Sequence, residues 1–198
     1  MFRRMPAGRP KAFDEKQVLS QAMELFWLRG YERLGLRELL SHLGISRQSL
    51  YDTFGSKRGL FLRTIEHYRS TQLSQALALL ERAGSPLGNV KAVLRFFEEL
   101  ALDQRARGCL VANSLVEVDP ADEELSGLLG ETLELLRASL ERALRQAQQC
   151  GELAAGRSPL ELSRALVNAM VGLAVTGRLP LPRTAIAEIH AGMLRLLD

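Results

Sequence analysis

Apolar residues recur at every third or fourth position along most of the chain, which is the spacing of an amphipathic α-helix. The first clear stretch places Val18, Ala22, Leu25 and Phe26 on one stripe, with Met23 beside it. The sequence has no sustained alternation of apolar and polar residues, and residues that favour helices outnumber the β-branched residues that favour strands. The pattern therefore predicts an all-α protein.

Capping and turn-forming residues divide this pattern into segments. Asp14 is suited to cap the first helix and Gly30 to end it. Gly44 and Ser46 separate two short helices, and Ser56 begins a longer one. The predicted helices cover about residues 14–30, 36–43, 47–53, 56–82, 90–104, 109–118, 122–150, 158–176 and 183–197.

Residues 35–54 read GLRELLSHLGISRQSLYDTF and carry the clearest functional pattern. Two short helices flank a turn at Gly44, which is the arrangement of a helix-turn-helix motif. The second helix presents Arg47, Gln48 and Tyr51 near its N-terminal end. Arginine can bind guanine, glutamine can bind adenine, and hydroxyl groups can meet phosphate, so these residue types suit a major groove.

Charge is distributed unevenly along the chain. Residues 1–70 contain 13 Lys and Arg against 7 Asp and Glu, a net charge of +6, although the whole chain carries only +3. A basic N-terminal part indicates contact with a polyanion, or otherwise an ordinary solvated face. Arg3, Arg4, Arg9 and Lys11 form a basic arm that could reach phosphate or the minor groove, unless it is a disordered tail.

The N-terminal third resembles the DNA-binding head of the TetR family of bacterial regulators. The resemblance covers residues 9–69 and rests on AMELF from Ala22, Gly30-Tyr31, and LRELLSHLGISRQSLYDTFGSKRGLF from Leu36 to Phe61. It implies an N-terminal three-helix helix-turn-helix domain followed by a C-terminal helical ligand-binding and dimerisation domain. The expected divisions are a basic arm at 1–12, the helix-turn-helix domain at 13–56, a connecting helix at 57–82, and the effector-binding and dimerisation domain at 83–198.

The resemblance also implies which residues contact DNA, with 47–54 as the recognition helix and Tyr51 and Lys57 at phosphates. The alternatives are a core tyrosine and a solvated lysine. Gly35 stands where the family usually has threonine, so any contact there must use the backbone. Asp52 would repel phosphate, so we expect it to face a base donor such as cytosine N4 or to point away. The predicted DNA-binding residues are Gly35, Arg37, Ser46, Arg47, Gln48, Ser49, Tyr51, Asp52, Thr53 and Lys57.

The middle helices are expected, by the same resemblance, to enclose an effector pocket. Cys109, Asn113 and Glu117 follow at i, i+4 and i+8, so they would share one helix face. Arg105 and Arg107 beside Cys109 would favour a reactive thiolate that senses oxidants or electrophiles; the alternative is a small buried apolar residue. The candidate pocket residues are Phe96, Phe97, Leu100, Cys109, Asn113, Glu117 and Met170.

The last two predicted helices carry apolar stripes that family members pair across a two-fold axis. The candidate interface residues are Leu162, Ala165, Leu166, Ala169, Leu173, Ile186, Ile189, Met193 and Leu196. Such a homodimer would place two recognition helices about 34–36 Å apart, one turn of DNA. The alternative is that these side chains pack inside one subunit.

These observations together predict a sequence-specific transcriptional regulator, a repressor released from a palindromic double-stranded operator by a small-molecule effector or by modification of a cysteine. His42, His67 and His190 are scattered, so we expect no catalytic site, metal or cofactor. An enzyme and a protein-interaction module that lost DNA binding remain the alternatives. No apolar run approaches the roughly 20 residues of a membrane span, and two cysteines fit a reducing compartment, so we expect a cytoplasmic protein.

Overall fold

The computed structural model describes residues 13–102 and 107–198, and the fold within these ranges is helical without a strand. The prediction of an all-α protein is confirmed, whereas the predicted basic arm lies outside the described residues. A π-helical turn, Arg69–Leu73, joins the fourth helix to the fifth. The helices are α1 (Glu15–Arg29), α2 (Leu36–Leu43), α3 (Arg47–Phe54), α4 (Lys57–Tyr68), α5 (Ser74–Leu80), α6 (Pro86–Ala101), α7 (Leu110–Leu115), α8 (Glu123–Gln149), α9 (Pro159–Thr176) and α10 (Arg183–Arg195).

Side-chain caps explain why several helices begin where the sequence predicts. The carboxylate of Asp14 accepts from Lys16 N at 2.9 Å, and Ser46 Oγ accepts from Ser49 N at 3.0 Å. Ser56 caps α4 in the same way. Each cap supplies an acceptor to a backbone N–H group that has no partner inside its helix. Gly44 adopts the left-handed conformation, φ 64°, that the turn between α2 and α3 requires.

The single helix predicted at 56–82 is divided by the π-helical turn into α4 and α5. The helices α6 and α7 also differ from the predicted ranges. The helix α6 begins four residues earlier than predicted, because Ser85 caps it and Pro86 occupies its first position. The helix α7 ends at Leu115, three residues earlier than predicted. Pro120 disfavours helical backbone at the residue before it, so the chain turns before reaching α8.

The head, defined as α1 to α3, is built around side chains that are almost fully buried. Leu39 of α2 and Leu50 of α3 are 0% exposed. Phe26 of α1 meets Phe61 of α4 edge to face, with ring centroids 4.8 Å apart. Burial of each such side chain contributes about 1.5–3 kcal/mol, so α3 is held firmly from behind by its apolar face. Its polar face is thereby directed outward.

The body, defined as α6 to α10, is a second layer of packed helices. The helix α9 packs against α8 and α6, and α10 packs against α6 and α9. Leu94, Leu140 and Leu166 are each 0% exposed at its centre. Within residues 13–102 and 107–198, none of the helices has the length and apolar character to cross a membrane. The division of the chain into four regions stays a prediction.

The structure corrects part of the predicted dimer interface. A side chain that is buried within its own subunit offers almost no surface to a partner, so five residues are reassigned to the protomer core. These are Leu162, Leu166, Leu173, Ile186 and Met193. Ala165, Ile189 and Leu196 are exposed and Ala169 is partly exposed, so for these four the interface stays a prediction.

Candidate functional sites: a DNA-binding surface and a buried cavity

The outward face of α3 carries the polar residues that the sequence analysis singled out. Arg47, Gln48, Tyr51 and Asp52 are all exposed, while Leu50 is buried beneath them. Tyr51 is 46% exposed, so it belongs to the surface and not to the core. The face therefore presents a guanidinium, an amide, a phenol and a carboxylate within two helical turns.

Hydrogen bonds within α3 organise this face. Gln48 Nε2 donates to Asp52 Oδ1 at 2.7 Å, so Asp52 is turned along the helix toward Gln48. The hydroxyl groups of Ser46 and Ser49 lie 2.9 Å apart at the cap. Ser49 and Thr53 are only partly exposed, at the border of the face. Ser46 and Ser49 therefore help to fix the start of the helix.

Two predicted residues lie at the start of α2. Gly35 is the N-cap residue and provides no side-chain hydrogen bond, as expected for a residue without a hydroxyl group. Gly35 and Arg37 are both exposed. Any phosphate contact by Gly35 would have to use its backbone, whereas Arg37 offers a guanidinium.

Lys57, the first residue of α4, is tied to the head. Its ammonium donates to the Tyr31 carbonyl at 2.6 Å and lies 4.5 Å from the centre of the Tyr31 ring. Partial burial lowers the pKa of Lys57. The alternative of a freely solvated lysine is therefore wrong. An ammonium has three N–H donors, so the contact with Tyr31 leaves this group capacity for a phosphate.

A small apolar cavity lies between the body and the segment from Tyr68 to Leu73. Its open volume is about 20 Å³, which is roughly the room for one water molecule. Phe97, Cys109 and Met170, which were predicted for the pocket, line it. The other lining residues were not predicted for the pocket; they are Tyr68, Leu73, Val111, Thr132, Leu133, Leu136, Val167 and Val171.

Four predicted pocket residues lie elsewhere. The helix α7 ends before Glu117, so Cys109, Asn113 and Glu117 do not share a helix face. Asn113 donates to Arg107 O at 2.7 Å, and the Glu117 carboxylate accepts from Tyr31 N at 2.8 Å. Phe96 and Leu100 pack partly buried on the core instead of lining the cavity.

Cys109 connects the cavity to the head. Its Sγ lies 3.3 Å from the Tyr68 hydroxyl, and its side chain is 7% exposed. Burial raises the pKa of Tyr68 well above its ordinary value, so Tyr68 keeps its proton. The Tyr68 ring meets Trp27 of α1 edge to face at 5.3 Å, and Trp27 Nε1 donates to Gly108 O at 3.1 Å. The cavity wall and α1 therefore share one packed cluster.

Arg107 does not have the predicted role beside Cys109. Its guanidinium lies 4.5 Å over the Trp27 ring and donates to both carboxylate oxygens of Glu24, at 2.8 and 3.0 Å. The positive charge of Arg107 is therefore paired with Glu24, whereas Arg105, the other arginine predicted to act on Cys109, lies outside the described residues. Arg107 instead binds the body to α1.

Two further contacts complete the junction, which we define as the contacts of residues 24–31 and Arg58 with residues 107–124. Arg58 of α4 makes two hydrogen bonds to Asp122, at 2.6 and 2.8 Å, and an ion pair with Glu124 at 2.7 Å. The Arg58 guanidinium lowers the pKa of Asp122 to about 2. Sequence reasoning missed these pairs because their partners lie 64 or more positions apart.

A buried core, an exposed polar face on α3 and a left-handed turn before it define a helix-turn-helix protein with a helical body. Two family models match the chain: "Bacterial regulatory proteins, tetR family" over residues 18–64, and "Tetracyclin repressor-like, C-terminal domain" over residues 86–193. The chain belongs to the TetR family of transcriptional regulators.

Individual relatives agree with this assignment. An uncharacterised HTH-type transcriptional regulator of Bacillus subtilis, YezE, is 38% identical over 197 residues, which cover 96% of this chain and 94% of that protein. The repressor ComR of Escherichia coli is 26% identical and covers 96% of this chain and 91% of its own. A cysteine mutant of the TetR-family regulator CifR, complexed with 26-base-pair operator DNA, superposes with a TM-score of 0.85 at 31% identity, covering 94% of this chain and 98% of that one.

Proposed function

We propose that this protein represses transcription by binding a near-palindromic operator as a homodimer. The observation that carries the proposal is the exposed face of α3, where Arg47, Gln48 and Tyr51 project from a helix whose other side is buried. A rigid helix with outward polar side chains is what a major groove accepts. The similarity to CifR, which was solved with operator DNA, and to the repressor ComR supports the direction of the effect.

Dimerisation would use the outer faces of α9 and α10. Ala165 and Ala169 offer small side chains on α9. Ile189 of α10 and Leu196, which follows α10 directly, are apolar residues that are each 36% exposed. A two-fold axis through this surface would bring it against the same surface of the second subunit. The two α3 helices would then read the two halves of one operator.

Release from DNA would begin at the cavity. Because its volume is only about 20 Å³, an effector of ordinary size must displace wall residues such as Tyr68, Cys109 or Met170 in order to enter. Tyr68 packs on Trp27, and Trp27 is hydrogen-bonded to Gly108, so displacement of the wall would shift α1 relative to the body. An effector that binds the displaced state more tightly lowers the affinity for DNA by that difference.

Modification of Cys109 is a second way to reach the same state. An adduct on Sγ could not be accommodated at 3.3 Å from the Tyr68 hydroxyl, so it would separate these two side chains. Cys150 is exposed and provides an internal comparison. With N-ethylmaleimide, we expect the exposed Cys150 to react first and the buried Cys109 slowly. In a Cys150→Ser background only Cys109 can react, and we expect this slow reaction to weaken DNA binding. In a Cys109→Ser background, the reaction of Cys150 should leave DNA binding unchanged.

The central proposal is tested by selecting bound duplexes from a random pool and titrating the selected duplex with salt. We expect a near-palindromic sequence and an affinity that falls steeply with salt, because each neutralised phosphate adds about 0.9 to the slope of log K against log salt. An affinity that is equal for all duplexes, or independent of salt, would contradict the proposal.

A further inference from the structure

The hydrogen bond between Gln48 and Asp52 constrains what α3 can recognise. Both side chains are exposed on the face that carries Arg47 and Tyr51, and their bond of 2.7 Å joins positions one helical turn apart. An ionised carboxylate has acceptors only, so the Gln48 amide must turn its NH₂ group toward Asp52. The Gln48 carbonyl oxygen is thereby directed away from Asp52.

This orientation leaves Gln48 with one N–H donor and one carbonyl acceptor for a base edge. In the major groove, adenine presents the N7 acceptor beside the N6 donor, which matches this pair. Guanine presents two acceptors, thymine an acceptor and a methyl group, and cytosine a donor. A Gln48 amide free to rotate could offer both N–H groups to guanine, whereas the amide held by Asp52 cannot.

We propose that Asp52 is a positioning residue that fixes the Gln48 amide so that it reads one adenine in each half of the operator. This inference rests on the proposed function and specifies the chemistry of the same surface. It also explains how an acidic residue is accommodated on a face that meets a polyanion. Asp52 accepts from Gln48 instead of approaching phosphate.

The experiment is selection from a random duplex pool with four proteins: the wild type, Gln48→Ala, Asp52→Ala and, as a matched control on the same helix, Arg47→Ala. The base pair whose preference disappears in Gln48→Ala is the one that Gln48 reads. We expect adenine there in the wild type, preferred roughly ten- to a hundredfold over guanine. In Asp52→Ala we expect the preference over guanine to fall to a few fold at that base pair alone, and in Arg47→Ala to remain.

A second measurement tests whether the Gln48 amide donates a hydrogen bond to N7 of that adenine. Replacing that adenine with 7-deazaadenine removes the N7 acceptor, so wild-type affinity should fall while Gln48→Ala affinity stays unchanged. Thermal unfolding of Asp52→Ala should match the wild type, because both side chains are exposed. A loss of preference at one base pair in a normally folded variant is a result that a merely structural role would not produce.

Two results would overturn the inference while leaving operator binding intact. One is an unchanged adenine preference in Asp52→Ala. The other is a cytosine whose preference disappears in Asp52→Ala but persists in Gln48→Ala, which would mean that Asp52 contacts the base directly. A wild-type protein that selects no sequence would overturn the proposed function together with this inference.

Discussion

The exposed polar face of α3 and the junction between head and body are both polar, but they are organised over very different distances along the chain. On α3, Ser46 meets Ser49 and Gln48 meets Asp52, three and four positions apart. At the junction, Arg58 meets Asp122 across 64 positions and Tyr31 meets Glu117 across 86. The surface is thus a local property of one helix, whereas the junction exists only when the whole chain has folded.

This difference predicts different consequences of mutation. Exposed surface groups away from special features usually change stability by less than about 0.5 kcal/mol. A buried polar group that loses its partner costs about 1–3 kcal/mol. Substitutions on the outer face of α3 should therefore alter DNA recognition without altering stability, and substitutions at the junction should alter stability.

The largest expected effect separates two glycines with the same backbone conformation. Gly108 and Gly44 both have φ 64°, but a Cβ on Gly108 would lie 2.3 Å from the Ala174 carbonyl oxygen, whereas one on Gly44 would meet nothing within 4 Å. Left-handed backbone costs a non-glycine residue about 1–2 kcal/mol, and the overlap adds about 1–3 kcal/mol. We expect Gly108→Ala to lower the free energy of unfolding in urea by about 2–5 kcal/mol. We expect Gly44→Ala to lower it by only about 1–2 kcal/mol, the cost of the left-handed backbone. Equal losses would show that the contact between Gly108 and α9 yields to the added methyl group.

The next effect concerns binding instead of stability. Arg47→Ala should weaken binding to the selected operator by about 1–3 kcal/mol, because it removes a guanidinium from the proposed base-reading face. Its free energy of unfolding should change by less than about 0.5 kcal/mol. Arg95, exposed on α6 of the body, gives the matched control, and fluorescence anisotropy should show no loss of affinity for Arg95→Ala. A comparable loss in both variants would indicate a general charge effect.

Replacing tyrosine with phenylalanine at the buried Tyr68 should affect stability, whereas the same replacement at the exposed Tyr51 should affect operator binding. Tyr68→Phe removes the hydroxyl that lies 3.3 Å from Cys109 Sγ in a buried site, and we expect a loss of about 0.5–1.5 kcal/mol in unfolding free energy. Tyr51→Phe removes an exposed hydroxyl and should reduce operator affinity while leaving stability unchanged. If Tyr68→Phe is as stable as the wild type, the contact with Cys109 contributes nothing to the stability of the fold.

The smallest effect is a dependence on pH. The pKa of Asp122 is lowered from 3.8 to about 2, chiefly by its hydrogen bond with Arg58. A carboxyl group whose pKa is lower in the folded state stabilises the fold above its unfolded pKa, and this contribution disappears as the pH falls from about 4 to 2. In Asp122→Asn, which retains a side chain able to cap α8, the unfolding free energy should vary less over this range. Asp119→Asn, a nearby exposed position, should follow the wild type.

Much of the head could be predicted from the sequence because its determinants are local. Asp14, Ser46 and Ser56 begin their helices as predicted, and Gly44 forms the turn. Caps, turns and helix faces depend on residues within four positions of one another, so they can be predicted from the sequence alone. The exposed face of Arg47, Gln48, Tyr51 and Asp52 follows from the same periodicity.

The tertiary structure decided which apolar and polar residues meet across the fold. Leu166 and Leu173 have the periodicity of an interface, yet they fill the protomer core, because a helical stripe does not reveal whether its partner is the same subunit or another. Glu117 and Arg107, expected at a ligand or a thiolate, bind α1 and its following turn instead. Sequence periodicity fixes which side chains share a face, but only the folded chain determines what each face contacts, since the partners come from segments far apart.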